Sequence, residues 1–194
     1  LQRQLHLLLI TGKRDALRPA FSFTANVLCM FNIGHAICIP TSLKRIDETL
    51  NFYKPQTMFL VPMLVEAFYN KIWKNIKESN KYFLVKVLLC LSNLLYTIGI
   101  DLRRIFFKQI IEGFGGKLDL IISGGAALDE KYVKAFRGFG IEILNGYGIT
   151  ECAPIVAVNR TKNVVPGSVG NVLDIDTVII DGVIKMKNRK LVNI

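Results

Sequence analysis

Short apolar runs alternate with amphipathic stretches over the first part of the chain. Residues 35–39 and 57–61 are compact apolar runs, each followed by a proline, and we predict that both are buried strands. Thr41 and Ser42 can cap a helix after the first run, and Pro62 suits the first turn of a helix after the second. In this second helix an apolar residue recurs every four positions, at Leu64, Phe68, Ile72 and Ile76.

The same alternation continues further along the chain. Residues 118–122 are predicted to form a buried strand, residues 129–137 a short helix, and residues 141–144 another strand. Strands and helices of these lengths in alternation predict a parallel sheet with right-handed crossovers. The predicted fold class is therefore α/β.

The pattern changes after Pro154, where four short strand-like runs are separated by Gly, Asn and Asp. These runs are residues 155–158, 169–172, 177–180 and 183–187. They predict the start of a separate, mostly antiparallel unit.

The apolar segment at residues 82–100 raises the question of a membrane span. It contains Lys86 and several polar residues, and its length barely reaches the roughly 20 residues that a span needs. A buried or membrane-apposed helix is therefore the preferred interpretation. In the preceding helix, Lys71, Lys74 and Lys77 fall opposite the apolar stripe and predict a solvated face, while a lipid-facing or partner-facing role stays open.

Composition narrows the class of protein only slightly. The chain has 25 basic and 15 acidic residues, a net charge of +10, which attracts polyanions such as nucleotide phosphates, nucleic acid or an acidic membrane surface. Its four cysteines form no CxxC pair, which indicates reduced, mostly buried thiols in a cytoplasmic protein. The chain has two histidines, which argues against a histidine-based triad or a metal cluster of several histidines. The cysteines are Cys29, Cys38, Cys90 and Cys152.

Two glycine-containing segments, which we predict to be loops, follow neighbouring strands of the predicted sheet. In a parallel sheet both leave from the carboxyl edge, which is where open α/β sheets bind their ligands. Glycine lets the backbone approach a planar ring or a phosphate closely. The first segment comprises Ser123, Gly124, Gly125 and Ala126, and the second comprises Asn145, Gly146, Tyr147, Gly148, Ile149, Thr150 and Glu151.

The second segment carries three side chains that suit a nucleotide and its metal ion. Tyr147 can stack on a purine, Thr150 can donate to a phosphate oxygen, and Glu151 can bind Mg²⁺. Each alone has an ordinary explanation, as a core aromatic, a helix cap and a first-turn carboxylate. Their combination at a predicted ligand edge favours the nucleotide site. A Walker loop does not fit, because Ile111 and Leu118 stand where Gly and Ser or Thr are required.

These segments resemble known motifs. Residues 145–151, Asn-Gly-Tyr-Gly-Ile-Thr-Glu, resemble the Tyr-Gly-x-Thr-Glu motif of the adenylate-forming (AMP-binding) superfamily, and residues 123–128 resemble its partner loop. Residues 54–66 and 115–118 are similar to segments of the long-chain acyl-CoA synthetases within that superfamily. Residues 166–170 resemble the beginning of its small barrel. The resemblance spans about residues 20–187.

The resemblance implies both an architecture and an activity. The architecture is an unassigned segment at residues 1–20, part of an α/β adenylate-binding subdomain at 21–154, and the start of a β-barrel subdomain at 155–194. The activity is that of an AMP-forming acid–CoA ligase, which activates a long-chain fatty acid with ATP through an acyl-adenylate and transfers it to coenzyme A. The expected substrates are ATP, the fatty acid and coenzyme A, with Mg²⁺ as metal and no nucleic acid.

Individual roles follow from the same resemblance. Tyr147 is expected to stack on adenine, and Asn145 to lie near the exocyclic amine. Thr150 is expected to hold the α-phosphate and Glu151 to help bind Mg²⁺. The base and acyl pocket would be lined by Gly124, Gly125 and Ala126.

The chain also departs from the superfamily pattern. Its sequence contains no Ser/Thr/Gly-rich phosphate loop ending in Lys and no C-terminal domain with the adenylation lysine. We therefore expect this chain alone to be inactive. Two alternatives stay open: adenylation of a different carboxylic acid, and a non-catalytic basic module that binds a membrane or a partner. Peripheral membrane contact and a homodimer are likewise left open.

Overall fold

The computed structural model describes most of the central part of the chain. The described residues are 5–8, 32, 34–40, 45–148, 155–160, 164–172, 178–180, 183–187 and 190–191.

Five parallel strands form the main part of a sheet, in the order β2-β1-β3-β4-β5. Two short antiparallel strands, β6 and β7, extend it beyond β5 to give seven strands. The strands are β1 Leu5–Leu8, β2 Ala36–Cys38, β3 Thr57–Leu60, β4 Leu120–Ser123, β5 Glu142–Tyr147, β6 Ala157–Val158 and β7 Asn171–Val172. The α/β class predicted from the sequence is confirmed.

Helices connect the parallel strands. Two of them were predicted closely: α2 begins with Pro62 at its first turn, and α6 follows β4. The helices are α1 Ile46–Tyr53, α2 Pro62–Glu78, α3 Tyr82–Thr97, α4 Arg103–Phe106, α5 Lys108–Gly113 and α6 Glu130–Gly138. The predicted caps Thr41 and Ser42 lie outside the described residues, and the N-cap of α1 is Arg45, which makes no side-chain cap hydrogen bond.

The core lies where the sheet meets these helices. All four residues of β3 are buried. Ile121 of β4 and Ile143 of β5 are fully buried and lie side by side in register. Phe136 of α6 and the adjoining Phe139 are also fully buried. Burying side chains of this size stabilises the fold by roughly 1.5–3 kcal/mol each, so the strands that carry the candidate residues are anchored in a packed interior.

Helix α2 has the two faces that its sequence predicts. Phe68 and Ile76 are buried and belong to the core clusters. On the other side Lys71, Lys74 and Lys77 are exposed, and Lys71 pairs with Asp47 of α1 at 2.6 Å. These lysines are at the surface, as predicted, and a lipid-facing or partner-facing role stays open.

The strand β1 was not predicted. It pairs in parallel with β2 on one side and β3 on the other, so the chain before residue 20 contributes an inner strand to the sheet. The sequence resemblance leaves residues 1–20 unassigned. β1 pairs with residues about 30 and 50 positions further along the chain, and the sequence around it does not reveal these partners.

The strands after Pro154 differ in part from the expectation. β6 and β7 were expected to open a separate unit, and this is wrong, because β6 pairs with β5 and β7 with β6. A separate antiparallel sheet is formed by three later strands, β8 Val178–Ile180, β9 Val183–Lys187 and β10 Lys190–Leu191. The domain boundaries at residues 20 and 154 stay predictions.

Helix α3 is not a buried helix. Only Val85 and Ser92 within it are buried, while Phe83 and Leu94 are 80% and 63% exposed. The buried alternative is therefore wrong, and apposition to a membrane remains open. Among the described residues, no helix has both the length and the apolar character needed to cross a bilayer.

The cysteine prediction is confirmed for one residue and wrong for another. Cys38 is buried and Cys90 is exposed on α3, and both are free thiols. Burial raises the pKa of the Cys38 thiol. Cys29 and Cys152 lie outside the described residues.

Candidate functional site

The two glycine-containing segments leave neighbouring parallel strands, as predicted. In the β4–β5 ladder Ser123 is the register partner of Asn145, and on the other side of β4 Ser123 is the partner of Leu60. Adjacent strands lie roughly 4.8 Å apart. The carboxyl ends of β3, β4 and β5 therefore lie in one row.

Strand alternation brings the polar side chains of this row to one face. Ser123 is two residues after buried Ile121, and Asn145 is two residues after buried Ile143. Residues two apart along a strand share a face of the sheet. Tyr147, two residues beyond Asn145, therefore lies on that same face at the edge.

Ser123 and Asn145 are buried polar residues with unused hydrogen-bonding atoms. Ser123 is 1% exposed and Asn145 is 8% exposed. Within the described part of the chain, neither Ser123 Oγ nor Asn145 Oδ1 has a hydrogen-bond partner. An unsatisfied buried polar group costs about 1–3 kcal/mol, and two such groups in register call for an explanation. A polar ligand at the carboxyl edge would satisfy both.

The segment after β4 leaves room for such a ligand. Gly124 is half-buried, and Gly125 and Ala126 are exposed. Gly125 has φ of 89°, and a Cβ built there meets no heavy atom within 4 Å. The glycine is therefore required by its backbone conformation, and the space beside it is open.

The second segment is more ordered than predicted. A strand over residues 141–144 followed by a loop was expected, whereas β5 continues through Asn145 and Gly146 to Tyr147. The extension pairs antiparallel with β6, Gly146 with Val158 and Tyr147 with Ala157. The expectation that Asn145, Gly146 and Tyr147 form a loop is wrong, because β6 supplies a hydrogen-bonding partner that the local pattern does not reveal.

Tyr147 is held by its backbone while its ring reaches solvent. Its carbonyl accepts a hydrogen bond from the amide of Val156 at 2.9 Å. The side chain is 49% exposed, and Gly148 after it is half-buried. The ring is thus not a core aromatic, and one face can take a planar partner.

A hairpin behind β5 holds Asn145 in place. The amide of Asn159 donates to the carbonyl of Asn145 at 3.0 Å, and the buried Asn159 side chain donates through Nδ2 to the carbonyl of Ser168 at 2.7 Å. Gly170 has φ of 87°, and a Cβ there would overlap the backbone of Val158 and Asn159. Sequence reasoning missed Asn159, although the glycine-containing run at residues 166–170 was a signal for the hairpin.

Asp129, an acidic residue close to this edge, is already engaged. Its carboxylate accepts from the amide of Lys131 at 2.8 Å, which caps α6. That hydrogen bond lowers the pKa of the Asp129 carboxyl, with a further contribution from the Lys131 side chain. Asp129 therefore acts as a helix cap.

Thr150 and Glu151 lie outside the described residues. Their roles toward the α-phosphate and Mg²⁺ stay predictions. Within the described part of the chain, no group of three or more His, Cys, Asp or Glu side chains could hold a metal ion. The predicted metal site therefore depends on Glu151.

A cavity of about 790 Å³ lies elsewhere, between α2, α3 and the α4–α5 segment. Its apolar lining includes Phe68, Ile76 and Phe107. None of the candidate residues of the carboxyl edge lines it. Because open α/β sheets bind ligands beyond their carboxyl ends, the edge and not this cavity is the candidate site.

Comparison with known proteins identifies the family. The model of the AMP-binding enzyme family matches residues 17–183 of the chain. The chain belongs to the AMP-binding enzyme family. The match covers the whole candidate edge and extends slightly beyond the N-terminal limit set by the sequence resemblance.

Curated relatives of this chain include ligases that act on long-chain fatty acids. The long-chain-fatty-acid–[acyl-carrier-protein] ligase AEE15 of Arabidopsis thaliana is 26% identical over 192 residues, covering 78% of this chain and 25% of that protein. The long-chain-fatty-acid–CoA ligase FadD15 of Mycobacterium tuberculosis is 24% identical over 156 residues, covering 74% of this chain and 26% of that protein. The chain therefore spans about a quarter of the length of these relatives.

Solved structures agree on the fold. The anthranilate CoA ligase AuaEII, in complex with anthranoyl-AMP, matches with a TM-score of 0.60 and 18% identity, over 96% of this chain and 29% of that one. The N-terminal domain of FACL13 from Mycobacterium tuberculosis matches with a TM-score of 0.59 and 15% identity, over 95% of this chain and 38% of that one. At these identities the likeness establishes the fold of adenylate-forming ligases.

Proposed function

We propose that this chain provides the adenosine-binding edge of an AMP-forming acid–CoA ligase. The observation that carries the proposal is a pair of buried polar atoms, Ser123 Oγ and Asn145 Oδ1, which lie in register at the carboxyl edge and have no partner among the described residues. Family membership supports an AMP ligand, and the strand alternation brings Tyr147 to the same face.

Asn145 suits adenine in particular. Its Oδ1 is an acceptor, and adenine presents a donor at its exocyclic N6 amine, whereas guanine presents the O6 acceptor at the matching position. The backbone that carries this side chain is held in place, because the amide of Asn159 donates to the carbonyl of Asn145 and the next residue, Gly146, pairs with Val158. With Oδ1 turned toward the base, Asn145 favours adenosine over guanosine.

The neighbouring residues suit the face of the base and the phosphate of the nucleotide. The exposed Tyr147 ring can stack on the base, and Gly125 leaves space for close approach of the ligand. Following the family resemblance, Thr150 would hold the α-phosphate and Glu151 would bind the accompanying Mg²⁺. The protein groups would thus position the nucleotide and stabilise its charge.

The proposed reaction has two steps. The carboxylate of the acid attacks the α-phosphorus of ATP, which releases pyrophosphate and gives an acyl-adenylate. The thiol of coenzyme A then attacks the acyl carbon, and AMP leaves. The names of AEE15 and FadD15 support a long-chain fatty acid as the acid, and the name of FadD15 supports coenzyme A as the acceptor.

Nucleotide titration of the 194-residue chain tests the proposed site. AMP should bind more tightly than GMP, by about 5- to 150-fold if the amide contact contributes the roughly 1–3 kcal/mol typical of such discrimination. Asn145→Leu should remove most of this preference. Equal binding of AMP and GMP by the wild-type chain, or no binding of either, would reject the site.

Ser123→Ala provides a matched test that separates binding from folding. Because Ser123 Oγ is buried without a described partner, alanine should leave the urea midpoint unchanged or raise it. The same substitution should weaken AMP binding. A lower midpoint with unchanged AMP affinity would mean that the hydroxyl serves the fold alone.

A further inference from the structure

Helix α3 is apolar on two opposite sides, and only one side is covered. Its inner side packs against the core through Val85, Leu88 and Leu89. Its outer face, about 180° away at 100° per residue, carries a second apolar stripe that continues just past the end of the helix. This outer face comprises Phe83, Val87, Cys90, Leu91, Leu94 and Ile98.

The outer face is strongly exposed. Phe83, Leu94 and Ile98 are 80%, 63% and 67% exposed, and Val87 and Leu91 are exposed as well. A helix that is apolar all round is normally covered on all sides, and contiguous apolar patches mark interaction surfaces. The outer face therefore requires an occupant.

The charges around the outer face indicate the chemistry of that occupant. Residues 79–100 contain no acidic residue. Lys77, Lys81 and Lys86 are exposed around the N-terminal end of α3, and within the described part of the chain none of them forms an ion pair. Lys86 Nζ lies 4.7 Å from the ring centroid of Tyr82. Lysines and an aromatic ring beside an apolar stripe are the features of helices that lie in the interface of anionic membranes.

We propose that the outer face of α3 docks flat on an anionic phospholipid surface. The apolar stripe would enter the boundary between headgroups and acyl chains, and Lys86 at its flank would contact lipid phosphates. A second copy of the chain is a poorer occupant, because it brings the same basic surface and a net charge of +10. This proposal does not depend on the adenylate chemistry.

Vesicle co-sedimentation of the 194-residue chain tests the docking. Phosphatidylcholine vesicles that contain phosphatidylglycerol should bind the chain, and vesicles of phosphatidylcholine alone should bind it weakly. The double variant Phe83→Gln with Leu94→Gln should lose at least about tenfold in affinity, equivalent to roughly 1.4 kcal/mol. The matched control is Phe52→Gln, because Phe52 on α1 has the same 80% exposure and should bind as the wild type does.

The role of Lys86 is tested separately. Lys86→Gln should reduce the preference for phosphatidylglycerol and the sensitivity to salt, whereas Lys117→Gln, at an exposed lysine away from α3, should not. If the Phe83/Leu94 double variant binds the anionic vesicles as tightly as the wild type, the proposal fails.

An environment-sensitive fluorophore on Cys90 distinguishes the other occupants. In a chain whose remaining cysteines are replaced by alanine, the label should be open to iodide quenching in solution and should become protected when anionic vesicles are added. Protection without vesicles would mean that another segment or a second copy covers the outer face. Continued quenching on vesicles would mean that the face does not touch lipid. Either result overturns the proposal.

Discussion

The buried guanidinium of Arg103 joins three parts of the fold. Its side chain donates through Nε and Nη2 to the two carboxylate oxygens of Asp101, at 2.9 and 2.7 Å. Its Nη1 donates to the carbonyl of Arg137 in α6 at 3.0 Å, and its Cζ lies 3.9 Å from the ring centroid of Tyr96 at the end of α3. Replacing Arg103 by methionine should therefore loosen the corner where α3, α4 and α6 meet.

The size of the effect follows from these contacts. Methionine fills much of the same volume with a flexible chain, so the cavity cost is small. The Arg137 carbonyl loses a charged donor, a loss of about 1.5–3 kcal/mol. The Asp101 side chain is 46% exposed and can turn to solvent, so its pair adds at most about 1 kcal/mol. We expect Arg103→Met to destabilise the fold by about 1.5–4 kcal/mol.

Urea unfolding followed by circular dichroism measures this loss. Lys108→Met is a suitable control, because the Lys108 side chain is 75% exposed and its Nζ lies 3.7 Å from Oε1 of Glu112, a surface ion pair. That control should change the free energy of unfolding by no more than about 0.5 kcal/mol. If Arg103→Met behaves like the control, the contacts of the guanidinium do not hold the corner together.

The same pair predicts a pH dependence. Hydrogen bonding from Arg103 lowers the pKa of the Asp101 carboxyl below its ordinary value of 3.8. A carboxyl whose pKa is lowered in the folded state stabilises the fold above that ordinary value, and this contribution is lost as the pH falls through the folded-state pKa. The difference between wild type and Arg103→Met should thus be constant near neutral pH and shrink below 3.8. A difference that grows on acidification would contradict the assignment.

Two further predictions concern backbone strain and activity. Gly115→Ala should lower the urea midpoint more than Gly116→Ala. Both residues have positive φ, which costs alanine about 1–2 kcal/mol, but only a Cβ at Gly115 would overlap the Leu50 carbonyl. Equal losses in the two variants would contradict this reasoning. The 194-residue chain should not catalyse acid-dependent exchange of pyrophosphate into ATP, because its sequence contains no phosphate loop ending in Lys, and exchange well above a no-protein control would show this expectation to be wrong.

The parallel core was predictable because its signals are local. The runs that became β3 and β4 are compact and apolar, and the stripe of α2 repeats every four residues. β1 was missed, because its place in the sheet depends on partners about 30 and 50 residues further along the chain, which the local sequence does not reveal. The extension of β5 to Tyr147 depends on β6, which follows about ten residues later, so the local pattern around Gly146 could not reveal it.

The sequence predicted that the two candidate segments lie at one edge of the sheet, but it did not predict the burial of their polar residues. The strand–helix alternation correctly brings Ser123 and Asn145 to one edge. The burial of these two residues and the lack of described partners for Ser123 Oγ and Asn145 Oδ1 depend on how β4 and β5 align. The sequence alone does not give this alignment. For α3, periodicity shows two apolar sides but cannot tell which one is covered. The roles of Thr150 and Glu151 remain predictions.

Calorimetric titration of AMP into the wild-type chain and into Tyr147→Ala, without metal, tests the central claim most directly. Tyr147 is half exposed, so its substitution should leave the circular dichroism spectrum unchanged. Glu151→Gln is the control, because a carboxylate that binds Mg²⁺ contributes little to AMP binding when no metal is present. Loss of stacking should weaken AMP binding by about 1–2 kcal/mol, roughly five- to thirty-fold in Kd, with a smaller change for Glu151→Gln. Equal AMP affinity of the wild type and Tyr147→Ala would contradict the assignment of this edge as the adenosine site.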